Sequence, residues 1–332
     1  MNKYRVVFNL SAEDPRYRHS YFELGQNKAS ATFDAASRET AINLFLEYIN
    51  NVNEWCGINN LSPITNENII TIDLYWESKN DSMSYWLCED GTAELNGMNV
   101  SDRSSFTELI IPDTVMANGM QYKITSIGTA AFKDFECLTR IQFPKWLTSI
   151  GKEAFSNCAI EEVEIYNVVT FGKYAFYCKS LRRVFVRTSM SIENTLEAFG
   201  LGTYHTPDLP DLEDITIYST NIEQYTFFVG DFYDVFGFFE DDTVERHITL
   251  ISDGPISLDP ANFREVERCP LLKVSFLRKG SNDKMELSFN PSSLSTDGYY
   301  LPLVRFIPQN NYSENLELDI DQVVDFSDFD IE

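Results

Sequence analysis

The sequence predicts an α+β chain in three parts: a small N-terminal α+β domain over residues 1–82, a solenoid of stacked coils over 83–280, and a β-rich C-terminal cap with an acidic tail over 281–332. Three observations carry that prediction. Strand-like segments flank one segment of helical period near the N-terminus. The middle of the chain repeats one short phrase, as "ITSIGTAAFKDFEC" from Ile124 and "LTSIGKEAFSNC" from Leu147. Beyond residue 280 the pattern returns to strands and then to acids. The 332 residues, 43% hydrophobic and 14% aromatic, suffice for a large core.

In the first part, "YRVVFNL" (4–10) and "SATFDA" around Phe33 have strand composition. Ile42, Phe45, Ile49 and Val52 are spaced three, four and three, which places them on one face of a helix. Asp34 or Ser37 can cap its start, and Gly57 and Pro63 end it. "NIITIDLYWES" (68–78) predicts another strand, and "SKNDSMS" from Ser78 a linker.

In the second part, Phe132, Phe155, Phe176 and Phe199 are separated by 23, 21 and 23 residues. Cys137, Cys158 and Cys178 follow the first three, and Gly128, Gly151 and Gly172 precede them. The units "LTRIQF", "IEEVEIY", "LRRVFV" and, after an insertion, "LEDITIY" are each one short strand, and a degenerate copy ends at "LLKVSF" with Phe263 and Cys269. Self-similarity at this period predicts stacked coils that must bury one another's faces. Glycine allows a corner that a Cβ would obstruct, alanine allows close approach, phenylalanine forms a spine, and cysteine is a small residue for the inside of a turn.

"GTAEL", "LIIPDTVMANGMQYKITSIGTAAF" and "LTSIGKEAFSNC" resemble the BspA-type leucine-rich repeats of bacterial proteins, well over 85–186 and weakly over 187–280. The resemblance implies a right-handed, curved leucine-rich-repeat solenoid with a short parallel sheet on its inner face, used to bind other macromolecules. Many relatives are secreted or surface-attached. The N-terminal residues here contain no apolar signal segment and no cleavage site, so the start of the chain reads as cytoplasmic.

The charge narrows the partner. Fifty-one acids against 26 bases give −25, which repels nucleic acid and anionic lipid and attracts a basic protein. The same charge also keeps an aromatic-rich chain soluble. Catalytic signals are thin: His19, His205 and His247 stand apart, and no nucleotide, hydrolase or zinc motif occurs. No enzyme activity, cofactor or metal is expected. No stretch is long and apolar enough to suggest a membrane span.

Binding is expected from residues that do not repeat. In the LxxIxI phase the outward positions are Arg140 and Gln142, Glu162 and Glu164, Arg183 and Phe185, then Asp214 and Thr216. That stripe reads equally as a cross-rung charge ladder and as a protein-binding face. Residues 222–245 hold seven acids, no base and eight aromatics, with Phe232, Tyr233 and Phe236 central. They form either a lengthened coil that buries its rings or an exposed patch rimmed by carboxylates. Residues 314–332 hold eight acids and no base, among them Asp325 and Asp328, as a solvated tail or a docking segment. These features predict a protein-binding repeat protein. The alternatives are an acidic inhibitor or immunity-type protein that blocks a basic enzyme, and a structural component of an assembly. The oligomeric state stays open.

Overall fold

The computed structural model describes residues 1–11, 28–55, 63–79, 82–100, 103, 105–201, 212–220, 225–227, 246–252, 256–258, 272–278, 283–294 and 300–308. The elements begin with β1 (Asn2–Asn9), β2 (Lys28–Ala35), α1 (Arg38–Trp55), β3 (Ile69–Glu77), β4 (Met83–Leu87), β5 (Thr92–Met98) and β6 (Glu108–Ile110). Next come β7 (Thr114–Ala117), β8 (Met120–Ile127), β9 (Arg140–Gln142), β10 (Ser149–Ile150), β11 (Glu162–Val168), β12 (Thr170–Phe171) and β13 (Arg183–Thr188). The chain continues through α2 (Ile192–Ala198), β14 (Asp214–Ser219), β15 (Tyr225–Phe227), β16 (Arg246–Ser252), β17 (Ile256–Leu258), β18 (Leu272–Arg278), β19 (Asp283–Leu294) and β20 (Tyr300–Pro308).

Near the N-terminus β1 lies between β2 and β3, antiparallel to both. Helix α1 covers this sheet with fully buried Ala41, Phe45 and Ile49, and Phe45 meets Phe8 at 4.6 Å between ring centres. Ile42, expected on that face, is half-buried, so the buried stripe is shifted by one position to Ala41. Ser37 supplies the cap: its Oγ accepts the Thr40 N–H at 3.2 Å. The expected linker from Ser78 is instead the turn of a hairpin. Glu77 pairs with Ser84 across antiparallel β3 and β4, and the Ser78 N–H donates to the Met83 carbonyl at 2.8 Å. Its polar residues signal a turn, which composition alone does not separate from a linker.

That hairpin makes one sheet continuous from the N-terminal strands into the repeats, in the order β12-β10-β8-β5-β4-β3-β1-β2. Two hydrophobic clusters lie along it, one from Tyr4 to Ile72 and one from Met83 to Leu250. Arg5 ties them together. Its Nη2 donates to Asp73 at 2.7 Å, it also pairs with Glu94 on β5, and its guanidinium lies 4.9 Å from the Trp86 ring centre. Burial works against the Arg5 charge, but Glu94 and Asp73 outweigh it and raise its pKa.

In the repeats, Phe132, Phe155, Phe176 and Phe199 are fully buried and stack at 5.4, 5.2 and 5.6 Å, with planes within 12° of parallel. The thiols hold the stack in step: Cys158 Sγ lies 3.2 Å from the Phe132 carbonyl oxygen and Cys178 Sγ 3.1 Å from that of Phe155. Gly151 and Gly172 sit where an added Cβ would meet the preceding coil's backbone at 2.6 and 2.3 Å. Their role is close approach. The left-handed corners fall on Ala130, Glu153 and Tyr174, two residues before successive spine phenylalanines, at φ of 54°, 54° and 59°.

The strands of the LxxIxI units form a second sheet, β11-β13-β14-β16-β18-β19-β20, parallel as far as β18. The strand pair expected near the C-terminus is β19 and β20, which add antiparallel to its edge. Among the described residues, strands β6 and β9 pair only with each other on this face. Helix α2, which the repeat spacing does not foretell, precedes Phe199 and is capped by Ser191 Oγ, which accepts the Asn194 N–H at 3.3 Å.

Candidate functional site

Parallel pairing converts the alternation of each LxxIxI unit into two columns of outward side chains. Inward Val163, Ile165, Val184, Val186, Ile215 and Ile217 are at most 3% exposed, whereas Arg140, Gln142, Glu162, Glu164, Arg183 and Asp214 face solvent. Register places Glu162 beside Arg183, Arg183 beside Asp214, and Asp214 beside His247. On the other side of β9, Glu108 stands beside Arg140. One column thus consists of two runs, Glu108–Arg140 on β6 and β9 and Glu162–Arg183–Asp214–His247 from β11 to β16, with no strand pairing between β9 and β11. Within each run carboxylates and bases alternate.

The second column holds Ile110, Gln142, Glu164, Phe185, Thr216 and Thr249. Ile110 is 57% exposed, Phe185 is half-buried, and the Phe185 and Tyr166 rings meet at 5.1 Å. The Tyr166 hydroxyl donates to Glu164 Oε2 at 3.0 Å; its pKa is raised by burial first and then by that carboxylate. Glu162 pairs with Arg183, and one position earlier Arg182 Nη2 donates to Glu213 at 2.5 Å. These pairs are solvent-exposed, and each contributes about 0–1 kcal/mol, so their main effect is to orient side chains.

Four of the sequence-predicted residues, Arg140, Gln142, Glu162 and Glu164, line one groove of about 1160 Å3. Its floor includes Ile141, Phe143, Leu147, Val163 and Ile165. Its rim carries Glu108, Asp113, Glu161, Glu162 and Glu164 against only Arg140 and Lys145. Arg183, Phe185 and Asp214 continue the same face outside the groove. Phe232, Tyr233, Phe236, Asp325 and Asp328 lie outside the described residues, as do Phe263 and Cys269.

Sequence reasoning missed Glu108, Ile110, His247 and Thr249. "LIIP" is in phase with the later rungs, and "RHITLI" alternates as they do, so both signals were present. The insertion before residue 246 removes the Gly and Phe landmarks that would align the second. Among the described residues, no cluster of three or more His, Cys, Asp or Glu could hold a metal ion. No described helix is long and apolar enough to cross a membrane.

Residues 97–229 match the model of the BspA type leucine rich repeat region in six copies. The repeats over this stretch are BspA-type leucine-rich repeats. The BspA-type region extends from the end of β5 past β15 and contains the spine and the groove. Among solved structures, the chain is similar to a leucine-rich repeat protein from Bacteroides capillosus ATCC 29799, with 21% identity over 32% of this chain and 96% of that one, and a TM-score of 0.27. It is also similar to a leucine rich cell surface protein from Faecalibacterium prausnitzii A2-165, with 18% identity over 68% of this chain and 60% of that one, and a TM-score of 0.35. A leucine-rich repeat protein from Bacteroides ovatus ATCC 8483 shares 14% identity over 62% of this chain and 80% of that one, with a TM-score of 0.27. No curated protein matches the sequence.

Proposed function

We propose that this protein is a non-enzymatic binding protein that recognises another protein through the outward face of its leucine-rich-repeat solenoid. The observation that carries the reading is the exposed column of alternating charge beside the groove. Parallel register fixes these side chains within each run, Glu108–Arg140 and Glu162–Arg183–Asp214, so a partner of complementary charge can match them group for group. Residues 1–82 act as a second module and residues 281–332 as cap and tail. The overall charge of −25 favours a partner with a basic surface and speeds its encounter.

Affinity capture from a lysate of the source organism, with wild-type protein and the Glu162→Lys/Glu164→Lys variant side by side, tests this. The expected outcome is a bound protein that the variant loses and that high salt weakens. Equal capture by both would move the site away from this face.

A further inference from the structure

Among the described residues on the face that carries the groove, neighbouring strands from β6 to β16 are joined by a regular bond at each step but one. The Arg140 N–H donates to the Thr107 carbonyl at 3.3 Å, Arg183 to Glu161 at 3.1 Å, Asp214 to Arg182 at 3.0 Å and His247 to Glu213 at 2.7 Å. The corresponding bond from Glu162 to Thr139 is absent, and no ladder bond joins β9 to β11. Behind the break, Phe132 and Phe155 stack at 5.4 Å, and β8, β10 and β12 pair without interruption.

The alternation of a strand identifies the backbone groups left over. Arg140 and Gln142 turn theirs toward β6, since Arg140 donates to Thr107 and Gln142 accepts from Ile111. The N–H and C=O of Ile141 therefore turn toward β11. By the same logic, Glu161 faces β13, so the backbone groups of Glu162 and Glu164 turn toward β9. An unbroken ladder would join these groups to one another. Here they border the groove, and its apolar floor is correspondingly less covered. Ile141 and Phe143 are half-buried, whereas the equivalent Val163, Ile165, Val184 and Val186 are at most 3% exposed.

We infer that this break is a receptor for an extended, basic peptide segment of the partner protein. The segment hydrogen-bonds through its main chain to Ile141, Glu162 and Glu164 and sets its Lys or Arg side chains against the acidic rim. Strand addition supplies the backbone bonds, and alternate side chains supply selectivity. The rim, where Glu162 pairs with Arg183 and Asp113 with Lys145, is left with Glu108, Glu161 and Glu164 against Arg140, a balance that selects positive charge. Its Glu161, which faces solvent, carries no ion pair among the described residues. The inference rests on the protein-binding reading and adds to it the partner's local conformation and charge.

The test uses the full-length protein and an end-blocked synthetic peptide that alternates Lys with Val or Thr. Its controls are the same peptide N-methylated at alternate residues and a peptide with Glu in place of Lys. Fluorescence anisotropy is expected to show binding of the Lys peptide, no binding of the Glu peptide, and binding at least about tenfold weaker after N-methylation, because several main-chain bonds are lost. Hydrogen exchange is expected to slow at residues 141, 162 and 164 when the Lys peptide binds. Glu161→Lys is expected to weaken binding while Glu47→Lys, exposed on α1 away from the groove and the charged column, leaves it within about twofold.

Equal binding of the N-methylated peptide, or equal binding of the Glu peptide, overturns the inference. So does protection of the same amides by raised protein concentration alone, which would make a second copy the occupant. If native capture depends on Glu162 and Glu164 but the Lys peptide fails to bind, the protein-binding reading stands and the strand receptor falls. Peptide binding without such dependence reverses that result.

Discussion

Phe155 is fully buried between two parallel rings, at 5.4 Å from Phe132 and 5.2 Å from Phe176. Phe155→Ala is expected to cost about 3–5 kcal/mol in chemical denaturation, as for other large buried aromatics. A loss below about 1 kcal/mol would show that the neighbouring rings close the gap. The two kinds of small residue in the corner separate cleanly by substitution. Gly151→Ala places a Cβ against backbone and is expected to destabilise by about 1–3 kcal/mol. Ala130→Gly relieves a left-handed alanine at an exposed position and is expected to be neutral or stabilising by up to about 1 kcal/mol. Thermal melts of the pair would reject this account if the two changes had the same sign and size. The thiols set an alkaline limit. Burial pushes Cys178 from an ordinary 9.0 up to about 12 and raises Cys158 as well. Unfolded thiols therefore lose protons first, so the stability held below pH 9 falls as pH climbs toward about 12. Stability measured from pH 8 upward should decline less steeply in Cys158→Ala/Cys178→Ala than in wild type; parallel profiles would reject that role for the thiols.

The elements divide into those legible in the sequence and those hidden from it. The recurring Gly, Ala, Phe and Cys are readable because each coil imposes the same steric demand at the same place. The outward positions of β9, β11, β13 and β14 follow from two-residue alternation once the inward residues are known. Strand β16 was not legible as a rung, because its landmarks fall in an insertion of different length. The hairpin of β3 and β4 reads as a linker in the sequence because turns and linkers use the same residues. The break between β9 and β11 could not be foreseen at all. "LTRIQF" and "IEEVEIY" fit the pattern as well as the rungs that do pair, and a lost backbone bond has no side-chain signature. Helix α1 shows what local chemistry can specify: Ser37 caps it, and Ser37→Ala is expected to cost about 1 kcal/mol. A change below about 0.3 kcal/mol in urea denaturation would assign the helix start to packing alone.

Across the molecule, the sheet order joins the N-terminal strands to the first coil with no free edge between them. Arg5 is the buried charge at that junction, in contact with β3, β4 and β5 at once. Arg5→Ala leaves Asp73, which is 1% exposed, without its cation, and is expected to cost about 3–5 kcal/mol. Denaturation followed by a probe in each region is expected to resolve two transitions in this variant; one coincident transition would show that the hairpin suffices to couple them. The continuity of the sheet also has a mechanical meaning. A load applied between β1 and the later coils is carried across β3, β4, β5 and β8, a row of hydrogen-bonded strands. Pulling along those strands shears many bonds together, whereas pulling across them opens one rung at a time. The direction of attachment to a partner would thus decide whether this protein behaves as a rigid strut or as a chain that pays out coil by coil.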